Sequence, residues 1–382
     1  MAIYKLFPSQ DATLYSYYPI MNTGLDAICE ISNTLDPILR GDVPMVARYL
    51  TQFENSDIQD VINNKISSSN YNIFLKNYIS EAQGVNLNVN VEIDPLAQSW
   101  NNGTGHYLDT PQVDNGCSWK YSNFSGSGEW SLSGNIGGFG YTGWWSGSNE
   151  LGEDAIGGGS WITGSTVTQS FALRTSKDIE VDVSDITRLW YSESISNYGF
   201  IVRLTGSSEF QTSKYLQPEL KYYSVDTNTI YPPQLEFRWR DYTSSIDPSS
   251  DLIVTTSDIK LSLSENPQEF NQNAVNRFHI NVSPLYPTRI FQTSSLYTGL
   301  NYLPTASYYA VKDLDTNEFV INFDTQYTQI SSDSTGNYFD IYMNGLEPER
   351  YYSVLIKTEI DGSTLIIDDD NYFKVINGWV KI

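Results

Sequence analysis

The chain has 382 residues and carries 28 Tyr, 16 Phe and 9 Trp, an aromatic-rich composition that favours β structure over helix. This length suffices for two ordinary domains, each with its own hydrophobic core. The formal net charge of −23 repels phosphate backbones, so we expect no nucleic-acid partner.

The first part of the chain shows strand and turn signals. A strand-like segment at Asp11–Thr13 is followed by an Asn22-Thr23-Gly24 turn. Residues Asp57–Lys65 predict two turns of helix. Residues 86–93 then alternate polar and apolar side chains, as a half-buried strand does. Because such a strand has one apolar face, it requires a second sheet to cover that face.

Residues 123–164 form a break in composition, because they hold 13 of the 26 glycines, and six of the nine tryptophans lie between residues 100 and 161. One interpretation is a loop that contacts a partner or a glycan through Trp130, Trp144, Trp145 and Trp161. The other is an insertion whose rings pack back onto the sandwich, with Trp100 and Trp119 in the core. Trp144 and Trp145 are adjacent, so on an extended segment they point in opposite directions.

Alternation returns after this Gly/Trp-rich insertion. Residues Ile179–Val183 and Leu235–Arg240 predict strands, and Ser184 is placed to cap a short helix over Asp185–Trp190. The run Ser244–Ser250 reads as a linker. We therefore expect an all-β chain of two antiparallel β-sandwich domains, residues 1–245 and 246–382. The second domain is long for one sandwich, so residues 246–275 predict a linker, an arm or an added strand.

The second domain carries two further strand patterns and one corner motif. Arg277–Val282 and Phe319–Phe323 predict strands. The segment Gly345–Val354 resembles the Leu-x-Pro-x-x-x-Tyr-x-Val corner of fibronectin type III and related immunoglobulin-like domains. The resemblance implies that Tyr352 ties this corner to the backbone through its hydroxyl.

Motifs over the first 240 residues resemble those of the DNRLRE family, a β-sandwich module of secreted bacterial surface proteins and tailed-phage virions. They are Asp11–Thr13 with Asn22–Gly24, Arg48-x-Leu50-x-x-Phe53-Glu54 with Glu where the family has Asp, Trp100-x-x-Gly103-x-Gly105, the Trp119 strand, Val181–Ile186 with Trp190, Asn197–Phe200, and the closing segment Tyr222–Phe237. The resemblance implies a jelly-roll type of sandwich over residues 1–245.

The opening Tyr4–Pro8, followed by a DNRLRE-like and an immunoglobulin-like domain, resembles proteins of tailed phages, notably marine cyanophages with long contractile tails. The resemblance implies a structural virion component of the neck, tail, baseplate or a decoration appendage. Its expected partners are other virion proteins, in a homo-oligomer or on a symmetric ring. The alternative is a glycan-binding receptor-recognition or adhesin module, whose partner is a host surface glycan.

The start of the chain lacks a basic segment followed by an apolar one, and no apolar run reaches 18 residues. We therefore expect no signal peptide and no membrane partner, which fits a protein made in the host cytoplasm and placed in the virion. Cys29 and Cys117 are expected to be reduced, partly buried thiols, because a disulfide scaffold or a zinc site requires more ligands.

Catalytic chemistry has little support in the sequence. His106 and His279 lie in different predicted domains and in no nucleophile or metal motif. The nearest candidates for a glycosidase-like carboxylate pair are Glu129, Glu150, Glu153 and Asp154, for which a solvated loop rim is the simpler interpretation. Asp368–Asp370, with Asp361 and Asn371, predict either a Ca²⁺ site or a charged hairpin tip. We expect no enzyme activity, no cofactor and no bound metal.

Overall fold

The protein is an all-β molecule, as the alternating segments predict. The computed structural model describes residues 2–35, 44–85, 88–124, 128–143, 156–213, 215–246, 252–264, 266–286 and 300–377. Strands make up 47% of the structure and helices 8%. The predicted all-β sandwich class is therefore confirmed.

The strands, numbered in chain order, range from two to eleven residues. They are β1 (Ala2–Leu6), β2 (Gln10–Tyr15), β3 (Ile28–Thr34), β4 (Met45–Gln52), β5 (Tyr71–Asn77), β6 (Ile79–Gln83), β7 (Val89–Pro95), β8 (Tyr121–Asn123), β9 (Gly128–Glu129), β10 (Ser133–Ile136), β11 (Phe139–Gly143), β12 (Ser160–Ile162), β13 (Val167–Phe171), β14 (Ile179–Asp182), β15 (Phe200–Leu204), β16 (Glu219–Tyr223), β17 (Gln234–Trp239), β18 (Leu252–Ile253), β19 (Ile259–Ser264), β20 (Glu269–Asn271), β21 (Val275–Pro284), β22 (Asn301–Tyr302), β23 (Ser307–Asp313), β24 (Phe319–Ile321), β25 (Ser331–Asp333), β26 (Gly336–Tyr342), β27 (Arg350–Ile360), β28 (Ser363–Ile367) and β29 (Tyr372–Ile376).

Helical segments are short. The α-helices are α1 (Asn55–Asp60), α2 (Ser184–Tyr191) and α3 (Gly206–Glu209). A π-helical turn, Val61–Lys65, continues α1, and a 3₁₀ turn covers Met343–Gly345. The hydroxyl of Ser184 does not cap α2, because it accepts a hydrogen bond from the backbone N–H of Ile73 at 2.8 Å. Instead the Asp182 carboxylate accepts from the Ser184 N–H at 2.9 Å.

The chain divides into two compact units. The first, here the N-terminal unit, comprises Leu6–Asn63 and Asn72–Glu236, and the second, the C-terminal unit, comprises Met1–Lys5, Asn64–Tyr71 and Phe237–Ile382. This division falls within β17 rather than at the predicted boundary near residue 245. The reason lies in packing inside the C-terminal unit, where the rings of Tyr4 and Trp239 lie 5.5 and 5.7 Å from that of Tyr342.

The main sheet of the N-terminal unit has eight strands. Their order is β13-β7-β15-β4-β3-β16-β6, with β2 paired to β4. Within the N-terminal unit, β5 also pairs with β14. The small sheet β10-β11-β12 lies in the predicted Gly/Trp-rich insertion, and the pair β8-β9 lies at the start of that insertion. Residues 86 and 87 of the predicted strand 86–93 lie outside the described residues, and the strand found there is β7, which runs two residues further.

One face of the eight-stranded sheet packs against tryptophans. The buried cluster contains Ala12, Leu14, Val46, Leu50, Leu96, Trp100, Cys117, Trp119, Trp130, Trp161 and Ile201. On β4, Val46, Arg48 and Leu50 alternate with Ala47, Tyr49 and Thr51. Because side chains alternate along a strand, Arg48 shares the face covered by the tryptophans, and Tyr49 lies on the other.

The C-terminal unit is a sandwich of two six-stranded sheets. Their orders are β18-β22-β21-β26-β25, with β19 on β21, and β20-β29-β27-β23-β24, with β28 on β27. Phe278, Phe339, Tyr309 and Val354 belong to the core that both sheets enclose. The sheets are mainly antiparallel, but β18 pairs with β22 and β20 with β29 in parallel.

The described part of the segment 246–275, for which the sequence predicts a linker, an arm or an added strand, contributes strands to this sandwich. It supplies β18, β19 and β20, because Leu261 and Phe270 have apolar side chains that the core buries. The Ser244–Ser250 run is described up to residue 246. Within it, the Ser245 N–H donates to the Ser332 carbonyl at 3.2 Å, so this part is attached to the C-terminal unit.

Candidate functional site

The tryptophans proposed to contact a partner or a glycan are placed inside the N-terminal unit where the structure describes them. Trp130 is 4% exposed and Trp161 is 7% exposed. The indole N–H of Trp130 donates to the Ser118 carbonyl at 2.9 Å, which satisfies the polar end of the ring. Trp144 and Trp145 lie outside the described residues. Trp130 and Trp161 thus present no open ring face to a sugar, because both pack into the core.

A buried charged cluster lies beneath these rings. Arg48 forms an ion pair with Glu209, with Nε to Oε1 at 2.7 Å and both side chains 1% exposed. The Arg48 guanidinium also lies 4.9 Å from the Trp119 ring centroid and 5.1 Å from that of Trp161. Arg203 approaches Trp161 at 4.5 Å and contacts the Asp94 carboxylate at 2.9 Å. Because these charges are paired and desolvated, their arrangement serves packing rather than contact with a ligand.

Asn22 fixes the long segment that follows Trp100. Its amide nitrogen donates to the carbonyls of Asn102 at 2.5 Å and Cys117 at 2.7 Å, and its Oδ1 accepts from the Gly105 N–H at 2.7 Å. A Cβ on Gly24 would lie 1.9 Å from the Asn102 carbonyl oxygen, so the turn requires glycine for close backbone approach. This clamp positions the residues directly after Gly105.

Those residues border a groove that is the best candidate for a functional site. The groove is open to solvent, has a volume of about 500 Å³ and is lined only by residues of the N-terminal unit. Its aromatic and charged lining, which defines what we call the Tyr107 groove, consists of Tyr15, Asp26, Glu30, Tyr107, Glu219 and Lys221. Concave sites that combine apolar surface with a few polar groups are typical of ligand binding.

Three strands, the turn that precedes β3 and one loop bring these groups together, and Asp26 lies in that turn. Tyr15 lies on β2, Glu30 on β3, and Glu219 and Lys221 on β16. Glu30 is the cross-strand partner of Lys221, and Ser32 that of Glu219. Tyr107 comes from the loop held by Asn22, and its N–H donates to the Asp26 carboxylate at 3.1 Å.

The carboxylates of the groove differ in their surroundings. Burial raises the pKa of Asp26, although the hydrogen bonds from Tyr107 and His106 act in the opposite direction. Burial also raises the pKa of Glu30, against the hydrogen bond from Ser32, whose hydroxyl donates at 2.6 Å. The Lys221 ammonium contacts Glu219 at 2.5 Å and Glu81 at 3.2 Å, so it is already held by two carboxylates.

Sequence reasoning did not find this groove. The alternation of Ile28-Cys29-Glu30-Ile31-Ser32 and of Glu219-Leu220-Lys221 marks their polar positions as facing away from the apolar ones. No spacing in the sequence, however, connects these strands to Tyr107. The remaining signal is the Asn22–Gly24 turn, which anchors the loop.

The other predicted candidates are separate from one another. His106 borders the groove, and its Nδ1 lies 3.3 Å from Asp26 Oδ1, whereas His279 lies on β21 in the C-terminal unit. Glu129 is exposed and lies 3.5 Å from the Lys120 ammonium. Glu150, Glu153 and Asp154 lie outside the described residues.

The acidic C-terminal tract and the cysteines have structural surroundings. Asp369 accepts from the Leu261 N–H at 3.2 Å, and Asn371 accepts from the Leu263 N–H at 3.4 Å, so both contact the backbone of β19. The described residues contain no group of three or more His, Cys, Asp and Glu side chains placed to hold a metal. Cys29 and Cys117 are buried free thiols, and burial raises the pKa of both.

The predicted corner has the expected hydrogen bond. The Tyr352 hydroxyl donates to the Glu347 carbonyl at 2.9 Å, five residues upstream, and the ring is buried. This ties the start of β27 to the preceding turn, as a corner tyrosine does. Its role is structural.

Comparisons with known proteins do not assign this chain to a family. A scan against protein-family models matches none, and a search of the curated proteins returns no match to this chain. Among the described residues, no helix has the length and apolar composition needed to cross a membrane.

Proposed function

We propose that the chain is a non-enzymatic structural component of a tailed-phage virion, in the neck, tail, baseplate or a decoration appendage, and that it acts through protein–protein docking. The proposal rests on the resemblance of its motifs to the DNRLRE family and to phage proteins. The observation that carries it is that the motif residues form an internal framework of hydrogen bonds and packing.

This framework joins motif residues that are distant in the sequence. The Thr23 hydroxyl donates to the Thr13 carbonyl at 2.7 Å and accepts from the Thr13 N–H at 3.0 Å. The Asn197 amide donates to the Phe53 carbonyl at 2.9 Å, while its Oδ1 accepts from the Gly199 N–H at 2.9 Å. Side chains used in this way stabilise a scaffold, which suits a protein whose task is to hold other subunits.

Docking on other virion proteins fits the sheet architecture. The eight-stranded sheet ends in β13 on one side and β6 on the other. Edge strands offer backbone groups for pairing with another chain, and virion parts assemble with rotational symmetry. We therefore expect a homo-oligomer or a symmetric ring as the functional form.

Recognition of a host surface glycan is the second candidate. It requires an exposed ring next to hydrogen-bonding groups, and Trp130 and Trp161 are buried. Tyr107 is 47% exposed and borders the carboxylates of the groove. This exposed ring is the observation that favours glycan recognition.

Quantitative mass spectrometry of purified particles tests the structural role. We expect the chain to co-purify with infectious particles at a copy number that fits an oligomer or a ring. A non-virion protein encoded by the same genome serves as the control for carry-over. Absence from washed particles, or one unpaired copy per particle, would contradict the proposal.

A further inference from the structure

We propose that the Tyr107 groove binds a protonated amine or guanidinium group, carried by a Lys or Arg side chain of a partner protein. That the cation comes from a partner protein rests on the proposed docking function. Binding of the cation itself rests on the groove alone.

The first argument is the charge balance of the groove. Asp26, Glu30 and Glu219 face one cation, Lys221, whose ammonium contacts Glu219 and also Glu81 outside the lining. The groove therefore has two carboxylates more than ammonium groups. Its excess negative charge attracts a cation.

The hydrogen bonds of Glu30 and Asp26, the two carboxylates that Lys221 does not contact, come largely from neutral donors. Glu30 accepts from the hydroxyls of Ser32 at 2.6 Å and Tyr15 at 3.3 Å. Asp26 accepts from the Tyr107 N–H at 3.1 Å and lies 3.3 Å from His106 Nδ1. These contacts orient the carboxylates in the groove, and an arriving cation would add charge-assisted bonds.

The second argument is the pair of tyrosine rings. The ring centroids of Tyr15 and Tyr107 lie 5.1 Å apart with their planes at 58°, so the rings form a corner beside the carboxylates. Tyr18 packs edge-on against Tyr107 at 6.0 Å and supports that ring. The faces of aromatic rings attract cations, and a corner of rings with carboxylates nearby is suited to an ammonium or guanidinium group.

A neutral sugar fits this groove less well. It could stack on Tyr107 and donate to Asp26 and Glu30, but it would cover both carboxylates without neutralising them. Desolvating a carboxylate without adding a cation costs more than neutral hydrogen bonds return. The charge of −23 on the whole chain likewise favours a basic partner.

Peptide titration tests the inference on the full chain. The probe is a capped Gly-Arg-Gly peptide, compared by NMR titration with the same peptide carrying neutral citrulline, with spermidine and with maltotriose. We expect the arginine peptide to bind at least about tenfold more tightly than the citrulline peptide, and binding to weaken as salt screens the charges.

Variants locate the binding to the groove. The double variant Asp26→Asn/Glu30→Gln and the single variant Tyr107→Ala should each lose most of the affinity. Asp185→Asn and Tyr215→Ala, which alter a 96% exposed carboxylate and an 86% exposed tyrosine outside the lining, are the matched controls and should bind normally. Lys221→Gln should bind the arginine peptide more tightly, a gain that misfolding cannot produce.

Three outcomes would overturn the inference. Equal binding of the arginine and citrulline peptides would show that the groove does not recognise the positive charge. Tighter binding of maltotriose would show that its ligand is a glycan. Tighter binding of spermidine than of the arginine peptide would assign the groove to a free polyamine rather than a protein. Particle membership is measured separately, so either proposal can fail while the other stands.

Discussion

At the scale of single residues, the N-terminal unit buries polar groups that have specific partners. Asp11 is 1% exposed, and its Oδ2 accepts from the Val225 N–H at 2.7 Å. Burial raises its pKa to about 8, and the charges of Asp226 and Asp26 act in the same direction. The folded protein therefore keeps a proton on this carboxyl to a higher pH than the unfolded chain does.

This proton predicts a pH dependence of stability. In the unfolded chain Asp11 ionises near its ordinary pKa of 3.8, so between about pH 4 and pH 8 the folded state binds one more proton. The free energy of unfolding should therefore fall as pH rises through this window, by up to about 1.4 kcal/mol per pH unit. Denaturant unfolding over this range should show that Asp11→Asn removes this part of the slope and that Asp185→Asn does not. An unchanged slope in Asp11→Asn would falsify the assignment.

The ion pair of Arg48 and Glu209 gives a second prediction. Because both side chains are buried, Arg48→Met leaves a buried carboxylate without its cation and should lower the free energy of unfolding by about 3–5 kcal/mol. The double variant Arg48→Met/Glu209→Leu should recover much of this loss, because it removes both charges. Urea denaturation of the wild type, Arg48→Met, Glu209→Leu and the double variant measures the coupling free energy of the pair. A single variant within about 1 kcal/mol of the wild type would show that solvent reaches the pair.

At the scale of elements, the Asn22–Gly24 turn holds the loop that supplies Tyr107. Alanine at Gly24 would force the Asn102 backbone to move, since its Cβ would lie 1.9 Å from that carbonyl oxygen. Gly24→Ala should therefore destabilise the protein by about 1–3 kcal/mol and weaken binding in the groove. Gly206→Ala, where nothing lies within 4 Å of the added Cβ, is the matched control. Equal melting temperatures for the two variants would contradict the clamp.

The buried tryptophans of the Gly/Trp-rich insertion give a second prediction at the scale of elements. Trp130→Ala and Trp161→Ala should each lower the free energy of unfolding by about 3–5 kcal/mol, because both rings are buried. Leu132→Ala, at a side chain that is 52% exposed, should change it by no more than about 0.5 kcal/mol. Calorimetry of the isolated protein measures both. Fully stable tryptophan variants whose particles no longer adsorb to host cells would instead support the glycan-binding alternative.

At the scale of the whole molecule, the first residues belong to the unit that contains the end of the chain. Ile3 packs against the core of the C-terminal unit, and the Asn344 amide donates to the Lys5 carbonyl at 2.7 Å. Residues more than 200 positions before β17 in the sequence thus pack against the core of this unit.

This arrangement predicts a long-range effect within the C-terminal unit. Ile3→Asp should place a charge against the apolar core and accelerate amide hydrogen exchange in β26 and β27. Val275→Asp, at a side chain that is 54% exposed in the same unit, should leave that exchange close to wild type. Exchange measured by mass spectrometry distinguishes them. If both variants exchange at the wild-type rate, Ile3 contributes little to the core.

The sequence by itself determined the class of the fold and many of its strands. Alternation over Ile179–Val183, Leu235–Arg240 and Arg277–Val282 predicts β14, β17 and part of β21, because the two-residue period of a strand is a local property of the chain. The corner of Tyr352 is equally local, since its hydrogen bond reaches back five residues to Glu347.

Tertiary structure alone decided the site and the division into units. The sequence left open whether Trp130 and Trp161 face solvent or the core, and their burial depends on β2, β4 and β15, which lie far away along the chain. The Tyr107 groove likewise joins β2, β3 with the turn before it, β16 and a loop held by Asn22. Local patterns show which side of a strand is apolar, but contacts between distant segments determine what covers that side and which polar groups meet.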